Sequence, residues 1–154
     1  MTRIAATAES SYADASALLK LYLHEPESRA VAAWAGRSRG PLAVTLFGRV
    51  EVVNGIGLAS ARGFVSPSVH KAALAALDDD FAQGRLVLAD VSWRVALRLA
   101  DEISRKRTPA LACRMLDILH VASALTLERR HFLTFDARQR KLAQAMELKP
   151  VVLR

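Results

Sequence analysis

HFLTFDARQRKLAQAM, residues 131–146, joins a strand-length run to a helix through a single acid. His131 to Phe135 reads as a short strand and Ala137 to Met146 as a helix. Asp136 ends FLTFD, so the strand delivers its carboxylate to the edge of a sheet. SYADASALLKLYL, residues 11–23, has the same layout. Ser11 to Ala13 is a short, partly apolar segment, Asp14 follows directly, and Ser16 to Leu23 fits a helix with Leu18, Leu19 and Tyr22 on one side.

The elements between these two junctions follow the same rhythm. Glu25-Pro26 stops the first helix, because the residue before proline is steered away from helical geometry. Glu27 to Ser38 is amphipathic and closes at Gly40-Pro41. Leu42 to Thr45 is β-like, and a long helix is predicted from Phe47 to Arg62, weakened at Gly55 and Gly57 by roughly 1 kcal/mol each relative to alanine. Ser66 and Pro67 supply an N-cap and a first-turn proline for a helix to Gln83. Gly84 ends it, and Arg85 to Leu88 reads as a buried strand. Ser92 to Arg107 is helical and Thr108-Pro109 punctuates it. Leu111 to Arg130 carries the strongest helical pattern in the chain, and Val151 to Leu153 is predicted as a terminal strand.

Short strands alternating with helices predict an α/β sandwich with a largely parallel central sheet. Ligands in such sheets bind beyond the carboxyl ends of the strands. Asp14 and Asp136 both stand at such ends, so they are expected over one edge. No repeat or Pro/Gly-rich linker divides the 154 residues, which predicts one domain over 1–154 with residues 1–10 as a disordered arm.

Composition narrows the function. Apolar residues make up 52% of the chain, enough to build a core. No apolar run reaches the roughly 18 residues of a membrane span, and MTRIAATAES lacks the apolar centre of a secretory signal. A single cysteine, Cys113, excludes an intramolecular disulfide framework and a multi-cysteine zinc site. A cytoplasmic protein with no membrane association is the expectation. The net charge of +7 favours polyanionic partners, above all nucleic acid. Basic residues run from Arg37 to Arg140, which places the charge on the folded surface and not on a tail.

Two further acids stand in apolar settings. Glu51 lies in VEVVNGI, residues 50–56, and Asp117 in MLDILHVASAL, residues 115–125. A carboxylate on a buried-looking helix is costly without a cation or a charged partner. His120, three residues past Asp117, is on the same helix face and could be that hydrogen-bond partner. The bland reading of Asp14 and Asp136 is helix capping. Taken together, Asp14, Glu51, Asp117 and Asp136 would repel one another unless a cation joined them. Oxygen-only ligands select Mg²⁺ or Mn²⁺ over zinc. Such ions hold a phosphodiester, activate a bound water and stabilise the leaving oxygen. Arg49, Arg114 and Arg138 each lie two or three residues from one of these acids and are the candidates for gripping substrate phosphates.

These stretches resemble the PIN domains. YADASALLKLYLHEPES (12–28), RVEVVNGI (49–56), RMLDILHVASAL (114–125) and FLTFDARQRKLAQAMEL (132–148) occur in the order and at the separations seen in that family, especially in VapC-like toxins of type II toxin–antitoxin pairs. The resemblance covers nearly the whole chain from Tyr12. It implies a Rossmann-like α/β/α fold and an endoribonuclease dependent on Mg²⁺, with Mn²⁺ as a substitute. The family's metal-binding acids fall on Asp14, Glu51, Asp117 and Asp136, with supporting hydroxyls on Ser16 and Thr134. RNA as substrate, a small antitoxin protein and a homodimer are the partners it implies. Ala15 departs from the family, standing where a hydroxyl residue is common, and Ser10-Ser11 make the first strand less apolar than usual.

Other classes fit less well. A receiver-like phosphoacceptor would place an adjacent acidic pair after the first strand, and none is there. A non-catalytic nucleic-acid- or protein-binding module would not need all four acids. No G-x-G-x-x-G follows the first strand, and no G-x-S-x-G elbow occurs.

Overall fold

Tyr12 and Ala13 show how the layers are built. In a computed structural model describing residues 6–153, the first strand, β1 (Ser11–Ala13), is buried along its whole length. Side chains alternate across a strand, so Tyr12 joins one apolar cluster and Ala13 the other. The partner strand β4 (His131–Leu133) pairs in parallel with Tyr12 opposite Phe132 and Ala13 opposite Leu133. Phe132 and Leu133 divide between the same two clusters. Burial on both faces is why Tyr12 and Ala13, and Phe132 and Leu133, are apolar on successive positions without inside–outside alternation.

The remaining elements supply the two covering layers. After β1 come α1 (Ala15–Leu18), a 3-10 turn (Leu19–Leu21), α2 (Ser28–Gly36), β2 (Leu42–Val44), α3 (Leu46–Ala61) and α4 (Pro67–Ala82). Then follow β3 (Leu86–Leu88), α5 (Trp93–Leu111), α6 (Met115–Thr126), β4, α7 (Ala137–Ala145) and β5 (Lys149–Pro150). Helices α1 to α4 contribute Leu18, Val31, Val52 and Leu77 to the core on one side. Helices α5 to α7 contribute Ile103, Val121 and Leu142 on the other. All strand pairings are parallel: β1-β4-β5 form one ladder and β2-β3 a second. The end of β2 comes close enough to β1 for the Tyr12 hydroxyl to lie 3.5 Å from Thr45 Oγ1. This is the Rossmann-like α/β/α arrangement expected from the alternating pattern.

Several boundaries differ from the sequence expectation, each for a local reason. Thr108-Pro109 does not stop α5, which continues through Pro109 to Leu111. A proline in the last turn forfeits one backbone hydrogen bond, and left-handed Ala112 (φ 51°) ends the helix instead, its N–H reaching Thr108 O. Helix α6 is shorter than Leu111–Arg130, starting where the Arg114 N–H meets the Asp117 carboxylate. The last strand is Lys149–Pro150, not Val151–Leu153; as an edge strand it tolerates proline. The proposed arm falls partly outside the described residues. Within them Ala8–Ser10 form a 3-10 turn, Ser11 Oγ donates to Thr7 O at 2.7 Å, and Trp34 Nε1 donates to Ala6 O. Residues 6–10 therefore pack on the domain.

Gly55 has a positive use in α3 despite its low helix propensity. A Cβ there would lie 2.7 Å from Leu19 Cδ1. The glycine lets α3 approach the 3-10 turn after Asp14, and so brings Glu51 toward β1.

A candidate active site of four carboxylates

Register builds the first half of the site. Asp14 follows Ala13, which faces Leu133, so Asp14 lies beside Thr134 at the carboxyl edge of the sheet; its N–H donates to Leu133 O at 3.1 Å. The residue is 2% exposed. Oδ1 accepts from Ser16 Oγ at 2.6 Å and from the Ala17 N–H at 3.0 Å, and Oδ2 accepts from Thr134 Oγ1. Asp14 is thus the N-cap of α1 and a buried carboxylate at once. Burial pushes its carboxyl above the usual aspartate range, partly opposed by His120 and by these donors. Ser16 also accepts from the Phe135 N–H at 2.9 Å, tying α1 to the end of β4.

Asp136 plays the matching role for α7. Its Oδ1 accepts from the N–H groups of Arg138 (2.8 Å) and Gln139 (3.0 Å), and its own N–H donates to Thr134 Oγ1 at 3.1 Å. Thr134 therefore links the two strand-end acids. Asp117 is on the first turn of α6, where Oδ2 accepts from the Arg114 N–H at 3.1 Å. Gln139 bridges the helices. With its amide nitrogen turned to the acids, it donates to Asp14 Oδ2 and to Asp117 Oδ1, each at 3.2 Å. A neutral donor shared by two carboxylates reduces their mutual repulsion.

Glu51 reaches the same space from α3. Its Oε2 is hydrogen-bonded to His120 Nε2, and His120 Nδ1 lies 2.7 Å from the Tyr12 hydroxyl. His120 is therefore the partner of Glu51, not of Asp117, which is occupied by Arg114 and Gln139. All four acids line one cavity of about 390 Å³, together with Ser16 and Arg114. Among the described residues, no three His, Cys, Asp or Glu side chains are already drawn together around an ion position. Each of Asp14, Glu51 and Asp136 is instead held by donors: Asp136 by the start of its own helix, Asp14 by α1 and by Thr134 beyond β4, and Glu51 by His120 of α6. The donor set itself, four carboxylates and no thiolate, fits a hard divalent ion.

The three arginines separate. Arg114 lines the cavity. Arg49 does not: its guanidinium pairs with Asp78 at 2.7 Å and lies 4.4 Å from the Phe81 ring centre, facing α4. Arg138 contributes its backbone N–H to Asp136, and its side chain is not part of the cavity wall. Gln139 and Tyr12 were missed by sequence reasoning. Nothing in the polar helix around Gln139 marks it as buried, and nothing in the strand around Tyr12 marks its hydroxyl as a partner of His120. The one available signal was the i+3 spacing of Gln139 from Asp136, which is also cap spacing.

The family model for the PIN domain matches residues 11–145, and this chain belongs to the PIN domain family. That family consists in general of metal-dependent nucleases acting on nucleic acid. No curated protein matches the chain. Membership also removes the receiver-like reading. Among the described residues, no helix is long and apolar enough to cross a membrane.

Proposed function

We propose that this protein is a Mg²⁺-dependent endoribonuclease that cleaves RNA phosphodiester bonds, and that it acts as the toxin of a type II toxin–antitoxin pair in the cytoplasm. The observation that carries the reading is the convergence of Asp14, Glu51, Asp117 and Asp136 on one cavity at the carboxyl edge of a parallel sheet. These four carboxylates would hold Mg²⁺, with Mn²⁺ as a substitute. A bound ion of this kind polarises a phosphoryl oxygen and lowers the pKa of a water.

The chain's own groups do the positioning. Ser16, Thr134 and the Ala17 N–H fix the Asp14 carboxylate, and Gln139 spaces it from Asp117. Arg114 at the cavity wall neutralises a phosphate next to the scissile one. Exposed Met115 and Leu116 give the same wall an apolar lip. The chain's net charge of +7 draws a polyanion toward this acidic pocket. A small antitoxin whose tail covers the pocket, and a homodimer, complete the proposal through the resemblance to VapC-like toxins.

A labelled RNA panel incubated with Mg²⁺, with Mn²⁺ and with chelator tests the chemistry. Cleavage is expected with either ion and not with chelator. Undiminished cleavage by metal-free protein contradicts it. Binding of RNA without cleavage under every condition favours a non-catalytic module instead.

A further inference from the structure

Glu51, His120 and Tyr12 form a hydrogen-bonded line from the cavity into the core. Glu51 has a side-chain exposure of 27% at the cavity, against 3% for His120, and Tyr12 is buried. Glu51 Oε2 meets His120 Nε2, and His120 Nδ1 meets the Tyr12 hydroxyl at 2.7 Å. Packing holds both rings. Phe47 lies 4.6 Å from His120 between ring centres, and Tyr12 stacks on Phe132 at 5.2 Å with planes 12° apart. When the phenol donates to Nδ1, the neutral imidazole carries its proton on Nε2 and aims it at Glu51.

We propose that Tyr12 and His120 are positioning residues for the divalent ion, fixing Glu51 so that its second oxygen faces the cavity. This rests on the reading of Glu51 as a ligand of that ion. A glutamate on a helix surface has several rotatable bonds, and ordering them costs free energy whenever a ligand is bound. A fixed partner at Oε2 meets that cost during folding, leaving Oε1, which has no hydrogen bond among the described residues, to the ion. Asp14 and Asp136 have backbone donors from helix starts for the same purpose. Glu51 lies mid-helix, where no free N–H is available, so a side chain from α6 does this work.

Tyr12 makes the test clean, because it is not part of the cavity wall. Mn²⁺ affinity is measured by electron paramagnetic resonance on the full chain without RNA, for wild type, Tyr12→Phe, Glu51→Gln and the double variant. Tyr12→Phe keeps the stack on Phe132 and removes only the hydroxyl. It is expected to weaken Mn²⁺ binding by about tenfold, and to weaken it no further when Glu51 is already Gln. Wild-type affinity in Tyr12→Phe overturns the proposal. So does an equal loss in both backgrounds, which marks general loosening. Wild-type affinity in Glu51→Gln overturns the assignment of Glu51 as a ligand and thereby the reading beneath. His120→Gln, measured in the same way, carries the test if Tyr12→Phe does not fold.

Discussion

Asp14 caps a helix, closes a strand and faces the cavity with one carboxylate. In Asp14 capping occupies Oδ1, while Oδ2 accepts from Thr134 and Gln139, so on the proposed reading an ion takes the place of a donor at Oδ2 and the cap is kept. Its burial has a measurable consequence. A carboxyl whose folded pKa is raised favours the fold while protonated. Its contribution is fully present below the ordinary aspartate pKa and is lost as pH rises through the higher folded value. In chelator, the stability difference between wild type and Asp14→Asn should therefore move in favour of the variant as pH rises across that window. Melting curves at several pH values check this, and a difference independent of pH would contradict it. Gln139 gives a second residue-scale prediction. Gln139→Leu leaves Asp14 and Asp117 without their shared donor. It should cost about 1–3 kcal/mol in chelator, with part of the loss restored by Mn²⁺ as the ion replaces the amide between the acids. Equal loss with and without Mn²⁺ would mean that Gln139 only fills space. Nothing in the pattern ARQRKLAQA marks Gln139 as buried, because a polar residue in a polar helix reads as solvated until its neighbours are known.

At the scale of elements, the strand–acid–helix junctions were legible because strand and helix periods change abruptly at Asp14 and Asp136. Side-chain direction was not. Arg49 is two residues before Glu51, but two residues turn a helix by more than half a circle, and Arg49 faces Asp78 and Phe81 on α4. Arg49→Ala should accordingly leave RNA affinity and its salt dependence unchanged. Arg114→Ala should lower the affinity and flatten the slope of log K against log salt by about 0.7–0.9. Affinity titrations at several salt concentrations, in Ca²⁺ to hold back cleavage, separate the two variants. Pro109 was misread because a proline late in a helix removes only one bond, which tertiary packing outweighs. Gly55 shows the same limit of local propensity. Gly55→Ala improves propensity by roughly 1 kcal/mol, but its Cβ would meet Leu19 at 2.7 Å. Overpacking typically costs about 1–3 kcal/mol, so a lower melting temperature is expected. A higher one would mean that Leu19 moves freely.

At the scale of the whole molecule, a basic chain encloses an acidic pocket. Charge and composition pointed to nucleic acid, and the order of the four acids along the chain pointed to the family that residues 11–145 match. What brings the acids together is the parallel pairing of β1 with β4 and the packing of α3 and α6 against them, long-range contacts that no local pattern contains. Asp117 offers the most direct test of the metal-dependent nuclease account, because it faces the cavity and Gln139 from a single turn of α6. The measurement is the single-turnover rate of RNA cleavage in Mg²⁺ for wild type and Asp117→Asn, with melting curves on the same samples. The account predicts a rate at least about a hundredfold lower for the variant with the melting temperature in chelator unchanged or raised. Wild-type cleavage by Asp117→Asn, or a rate that falls only together with a collapse in melting temperature, would contradict it.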